Sequence, residues 1–181
     1  MPMYDAEAKV SGRYVVPFAE AAGEVSPVFE RKVRDTFEER IGELASDGWY
    51  QTEAVRDSYY AILERVGSQT MISGGEQTAR GLSFDSGLSV FEAFERLNAL
   101  QVSDEVYRDT TQDKPAGEYT FERRGERSGR LGVTNEYPYP QPFVKGIYTG
   151  IIKQWGPEDS IPTFEQIAED TDERFAWKTE W

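Results

Sequence analysis

The sequence predicts an α+β fold, and three observations carry that prediction. Apolar residues recur at helical spacing through the first half of the chain, and from about residue 117 a period of two takes over. Between two such alternating regions lies "PFVKGIYTGIIKQW", an apolar stretch that reads as a helix buried on most of its surface. The expected architecture is an N-terminal strand and helices packed on a small antiparallel sheet, with a buried helix between two C-terminal hairpins. One domain at residues 1–181 accommodates this, with a helical part at about 19–105 and a hairpin–helix–hairpin part at about 117–181.

Each element has its own signal. "KVSGRYVVPF", Lys9 to Phe18, reads as a strand ending at Pro17. Ser26-Pro27 opens a helix, with Ser as N-cap and Pro in the first turn, where its missing N–H costs nothing. Phe29, Val33, Phe37, Ile41 and Leu44 form its apolar stripe, which closes at Asp47-Gly48. Thr52 then caps a second helix bearing Val55, Tyr59, Ile62, Leu63 and Val66, with Gly67 as its exit. Met71, Ile72 and Ala79 continue a helical pattern across Gly74-Gly75. Either a packed neighbour needs the room there or the helix breaks, since each glycine costs about 1 kcal/mol relative to Ala. Ser89 and Glu92 make a capping box for a helix bearing Val90, Phe94, Leu97 and Leu100.

After the linker "TTQDKPAGE", two strands at about Glu118–Arg124 and Arg130–Tyr137 flank the turn "GERSG". Arg123, Arg124, Arg127 and Arg130 cluster there, either to grip an anion or as a solvated tip balancing nearby carboxylates. In "NEYPYPQP", Tyr137, Tyr139 and Gln141 each precede a proline, which steers them into extended backbone up to the start of the helix. On that helix Phe143, Val144, Ile147, Tyr148, Ile151, Ile152 and Trp155 cover about half the circumference. Gly146 and Gly150 lie on an adjoining face, where another backbone can come close. "IPTFEQIAED" and "RFAWKTEW" form a last hairpin around a "TDE" turn.

Composition excludes several functions. With 33 acidic and 20 basic residues the net charge is −13, so nucleic acid is not an expected partner. Fourteen of the basic residues are arginines and six are lysines, and the acidic, lysine-poor surface fits a halophile's cytoplasm. No apolar run is long enough to span a membrane, so no membrane partner is expected. The "MPMYDAEAKVSG" start has no signal-peptide pattern, and the protein is placed in the cytoplasm. The chain has no Cys and no His, which removes thiolate chemistry, imidazole bases and histidine–metal sites. Carboxylate–tyrosine pairs such as Glu118 or Glu136 with Tyr139 are not singled out by spacing, and no enzyme is expected.

The runs "DGWYQTEAVRDSYYAILERVGSQTM", "GEYTFERRG" and "NEYPYPQPFVKGIYTGIIKQWG", with the final hairpin, resemble the superfamily that unites haem-nitric-oxide-binding (H-NOX) domains and 4-vinyl-reductase-type domains. The resemblance spans roughly Val10 to Trp181. It implies a hydrophobic cavity beside the buried helix, used to sense small molecules or to hold partners, commonly in dimers. The chain departs from the family pattern in its ligands. It has no axial histidine for haem, and Gln141-Pro142 stands where cysteines often lie in the vinyl-reductase branch. No haem, metal or other cofactor is therefore expected.

The expected function is non-catalytic small-molecule binding or sensing. The pocket would lie between the buried helix and the helix that follows Trp49, lined by Trp49, Tyr59, Met71, Phe143, Ile147 and Tyr148. The same residues also serve as plain core. The alternative is an adaptor module acting through homodimerisation, with Tyr137 and Tyr139 presenting an aromatic patch. A lipophilic small molecule and a second copy of the chain are the partners these readings admit.

Overall fold

The computed structural model describes residues 2–168 and 172–181. Strand β1 (Lys9–Ser11) leads through a 3-10 turn (Gly12–Tyr14) into α1 (Val16–Val25), α2 (Pro27–Ile41), β2 (Trp49–Gln51), α3 (Thr52–Arg80), α4 (Val90–Gln101) and β3 (Tyr107–Arg108). Then come β4 (Tyr119–Gly125), β5 (Ser128–Thr134), α5 (Gln141–Trp155), β6 (Thr163–Gln166) and β7 (Glu173–Glu180). Two antiparallel sheets result, ordered β2-β1-β3 and β4-β5-β7-β6. The predicted α+β arrangement of helices packed on small sheets is what forms.

The local signals explain most boundaries. Ser26 Oγ accepts from Phe29 N at 3.1 Å, capping α2. At α4 both arms of the capping box form, Glu92 N to Ser89 Oγ and Ser89 N to the Glu92 carboxylate. Two expectations are corrected. The expected Lys9–Phe18 strand is only three residues long, because Ser11 caps a 3-10 turn at Gly12–Tyr14, and Pro17 sits in the first turn of α1, where it is tolerated. Helix α2 ends at Ile41 and not at Asp47, because Gly42 takes φ +75° and turns the chain out. The predicted Thr52 cap is the first residue of α3, its hydroxyl donating to Ala8 O of the strand segment.

Glycines decide how α3 and α5 meet. The long helix α3 breaks at Gly67, where φ is +82°, and runs on through Gly74 and Gly75. A Cβ at Gly75 would lie 2.3 Å from Phe143 O, one at Gly146 would lie 2.1 Å from Ile72 O, and one at Gly150 would lie 2.6 Å from the Ala79 methyl. A close neighbour, and not a helix break, is the reason for the paired glycines: Gly75 meets the α5 backbone, and a Cβ at Gly74 would lie 2.3 Å from the Phe18 ring. On its other side α5 meets the four-stranded sheet, where Tyr148 Oη donates to Thr120 O and Gly132 O. Helix α5 is thus buried between α3 and the sheet, and Phe143, Val144, Ile147, Tyr148, Ile151, Ile152 and Trp155 are all core.

The sheet is held by alternation. Leu131 faces Trp177 and Val133 faces Phe175 across the β5–β7 register, and all four are buried. In the last hairpin, the expected "TDE" turn falls partly outside the described residues.

Candidate functional site

The proline-rich segment before α5 places two tyrosines inside the protein. Tyr137 and Tyr139 are two residues apart, and their rings meet edge to face with centroids 5.5 Å apart. Both are buried, at 1% and 5% exposure, which overturns the expectation of an exposed aromatic patch. The reason is visible at Arg174 of β7. Its guanidinium donates to Tyr137 O at 2.6 Å and to Tyr139 O at 3.1 Å, and also to the Tyr60 hydroxyl of α3. With their carbonyls fixed from the sheet side, the two rings turn into the core.

There they join three more tyrosines. The hydroxyls of Tyr107 and Tyr139 share a hydrogen bond of 2.9 Å, and so do those of Tyr119 and Tyr137. Tyr59 stacks on Phe143 and meets the edges of Phe18, Phe37 and Tyr139. Its own hydroxyl has no hydrogen-bond partner among the described residues, although the residue is only 2% exposed. Burial pushes the phenol pKa of Tyr59, Tyr107, Tyr119, Tyr137 and Tyr139 up, so all five stay neutral.

These tyrosines, with Tyr14, line one side of a chamber of about 60 Å³; Val15, Leu97, Val106 and Ile147 are among the aliphatic residues that line the rest. The only amide side chain in the lining is Gln101, whose Nε2 donates to Ala116 O at 3.1 Å. The space is mostly apolar, ringed by neutral hydroxyls and free of ionised groups. It can hold and orient a small uncharged group by hydrogen bonding.

Of the residues expected at a pocket, Tyr59, Phe143 and Ile147 come together on this chamber. The other three stand elsewhere. Trp49 lies half-buried on β2 with the Arg108 guanidinium 4.3 Å over its ring. Met71 fills the core of α3, and Tyr148 points to the sheet backbone. Tyr107 and Tyr119 were not singled out in the sequence, and Tyr137 and Tyr139 were expected on the surface; all four line the chamber. The tyrosine–proline alternation was the available signal for two of them. The arginines of the β4–β5 tip are spread out: Arg124 pairs with Glu122, Arg130 with Glu173, and Arg127 reaches Ser160.

No family model matches the chain, and no curated protein is similar to it. Solved structures are. An oxygen-binding H-NOX domain related to soluble guanylate cyclases, in its oxygen complex, matches with a TM-score of 0.58 at 13% identity, covering 94% of each chain. A mutant of the T. Tengcongensis H-NOX matches with a TM-score of 0.63 at 13% identity, covering 94% of this chain and 96% of that one. A Cs H-NOX mutant carrying 4-cyano-L-phenylalanine matches with a TM-score of 0.61 at 14% identity, covering 94% and 95%.

Heme is the group named for other structures with this fold, and the residues here do not fit it. A chamber of about 60 Å³ is under half the ~150 Å³ that admits benzene, and a porphyrin is several times larger than benzene. The chain supplies no His or Cys as an axial ligand. Tyrosinate is another known haem ligand, but burial holds these phenols neutral. At this level of identity the likeness is one of fold: the chain has the H-NOX fold, closed around a small tyrosine-lined chamber.

Proposed function

We propose that this chain is a non-catalytic small-molecule-binding domain with a sensory role, and that its ligand enters the tyrosine chamber beside α5. The observation that carries the reading is the Tyr59 hydroxyl. A hydroxyl that makes no hydrogen bond to the protein offers a donor and an acceptor to whatever occupies the space beside it. Tyr59 lines a chamber large enough for a few water-sized groups. A ligand with one polar atom satisfies that hydroxyl and fills the apolar space around it. The H-NOX fold supports the reading by analogy, because its solved members include an oxygen-binding domain. The acidic surface suits a salt-rich cytoplasm, where this domain would respond to a small lipophilic molecule.

Two measurements test it. Xenon occupies dry apolar cavities of this kind, so xenon NMR of the folded chain is expected to show binding that Ile147→Trp abolishes. Mass spectrometry of protein denatured from native preparations is expected to release a bound small molecule. A chamber that takes up no xenon, in a protein that releases no ligand, sinks the proposal.

A further inference from the structure

The chamber has an outer neighbour of different character. Between the 3-10 turn, the end of α3 and α4 lies a groove of about 350 Å³, within the size range of small-molecule sites. Tyr14, Thr78, Leu82 and Leu100 line both the groove and the chamber. A single layer of side chains therefore divides the two.

Two arginines stand on the groove, Arg13 from the 3-10 turn and Arg96 from α4. Both are exposed, and neither forms an ion pair among the described residues. The Arg13 guanidinium lies 5.8 Å over the Tyr14 ring, and Arg96 acts on Glu92 only through space. Glu105 is the acidic residue of the lining, and its carboxylate acts with burial to push the Tyr14 hydroxyl pKa up. In a chain with 33 acidic and 20 basic residues, most surface repels anions. This groove offers two guanidinium groups that form no ion pair among the described residues, and guanidinium matches a carboxylate with paired hydrogen bonds.

We propose that groove and chamber are one site for a small amphipathic carboxylate, an aliphatic acid of short to medium chain. The carboxylate sits between Arg13 and Arg96. The tail passes Leu82 and Leu100 into the tyrosine chamber, whose volume admits only its last few carbons. This inference rests on the chamber being a ligand site, and it adds the chemical class of the ligand.

The test titrates the full chain with hexanoate, methyl hexanoate and hexanol, reading thermal stability and intrinsic fluorescence. Hexanoate is expected to raise the melting temperature and to bind about tenfold or more tighter than its methyl ester, the difference a charge-assisted hydrogen bond supplies. Arg13→Gln and Arg96→Gln are expected to remove that advantage while leaving the ligand-free melting temperature in place. Ile147→Trp is expected to weaken acid and ester alike; Leu100→Trp, on the half-exposed shared wall, serves the same purpose if that variant does not fold. Equal binding of acid and ester overturns the carboxylate assignment and leaves the chamber reading standing. Hexanoate binding that the chamber-filling variants do not change overturns the union of the two spaces. Binding of none of the three compounds overturns this proposal, and xenon uptake then decides the chamber reading separately.

Discussion

The hydroxyls of Tyr107 and Tyr139 lie 2.9 Å apart in the core and tie the edge strand β3 to the proline segment that leads into α5. Both rings line the chamber. Replacing either residue by Phe removes one hydrogen bond and leaves the partner hydroxyl buried, a cost of roughly 1–3 kcal/mol. Replacing both removes the orphaned hydroxyl as well. Urea denaturation of Tyr107→Phe, Tyr139→Phe and the double variant is expected to give a double cost smaller than the sum, with a coupling of about 1 kcal/mol. Additive costs would show that the two hydroxyls do not depend on each other.

Gly146 sets the distance between α5 and α3. A methyl there would meet Ile72 O at 2.1 Å, and backbone cannot give way as a flexible side chain can. Gly146→Ala is expected to destabilise by at least ~1–3 kcal/mol, as overpacking does. For a chain of this size that lowers the melting temperature by several degrees, at roughly 2–4 °C per kcal/mol. Gly81→Ala is the control: Gly81 has right-handed helical backbone, and its nearest neighbour to a Cβ is at 3.4 Å, so the change is expected to be close to neutral. Equal melting temperatures for the two variants would refute the packing argument.

Helix α5 and its glycine faces were legible in the sequence because burial and close approach are written locally, in the spacing of apolar and small residues. The α4 capping box was legible for the same reason. The chamber was not. Its tyrosines come from α3, β3, β4 and the proline segment, and nothing local records that Tyr107 meets Tyr139 or that Tyr119 meets Tyr137. The prolines marked a stiff approach to α5, although Gln141, expected to be extended, is already the first residue of the helix; the side that Tyr137 and Tyr139 face is tied to Arg174, which lies 35 residues or more along the chain. Boundary errors had local causes that competing signals hid. Pro17 reads equally well as a strand end and as a first helical turn, and Gly42 halts α2 before the apolar stripe runs out at Leu44.

Asp5 links stability to pH. It is buried and anchors two distant segments, accepting from the Thr111 N–H and hydroxyl and from the Ala8 and Glu7 N–H groups. Burial alone would raise its pKa, but these hydrogen bonds outweigh burial and hold it below the ordinary aspartate value. A carboxyl with a lowered folded pKa stabilises fully above its unfolded value of about 3.9, and that stabilisation is lost as pH falls through the folded value. Asp5→Asn is expected to melt below the parent at neutral pH, with the gap closing as pH drops into the acid range. A gap constant with pH would show that packing, not ionisation, accounts for the loss.

Thr179 is fully buried, and its hydroxyl oxygen is shut off from solvent without a hydrogen-bond partner among the described residues. It sits on β7 opposite Gly129 and Phe164. Valine keeps the branched shape, suits a strand and removes the unsatisfied hydroxyl, which costs roughly 1–3 kcal/mol when left buried. Thr179→Val is expected to raise the melting temperature by a few degrees. A fall would mean that the hydroxyl is satisfied by water in solution.

Charge balance predicts how the whole domain responds to salt. A net charge of −13 places an excess of carboxylates on the surface, and their mutual repulsion opposes the compact state. Many of the ion pairs involve well-exposed side chains, such as Lys178–Glu180 and Arg124–Glu122, and such pairs contribute little each, about 0–1 kcal/mol. Salt screens both effects, so their balance sets the sign. The unpaired excess is repulsive at every separation within the Debye length, whereas each exposed pair acts only locally, so repulsion dominates. Raising KCl from about 0.1 M to about 1 M shortens the Debye length from about 10 Å to about 3 Å. The melting temperature is expected to climb over that range and then level off, with NaCl giving the same curve. A melting temperature that falls with added salt would show that the surface ion pairs, not the carboxylate excess, govern stability.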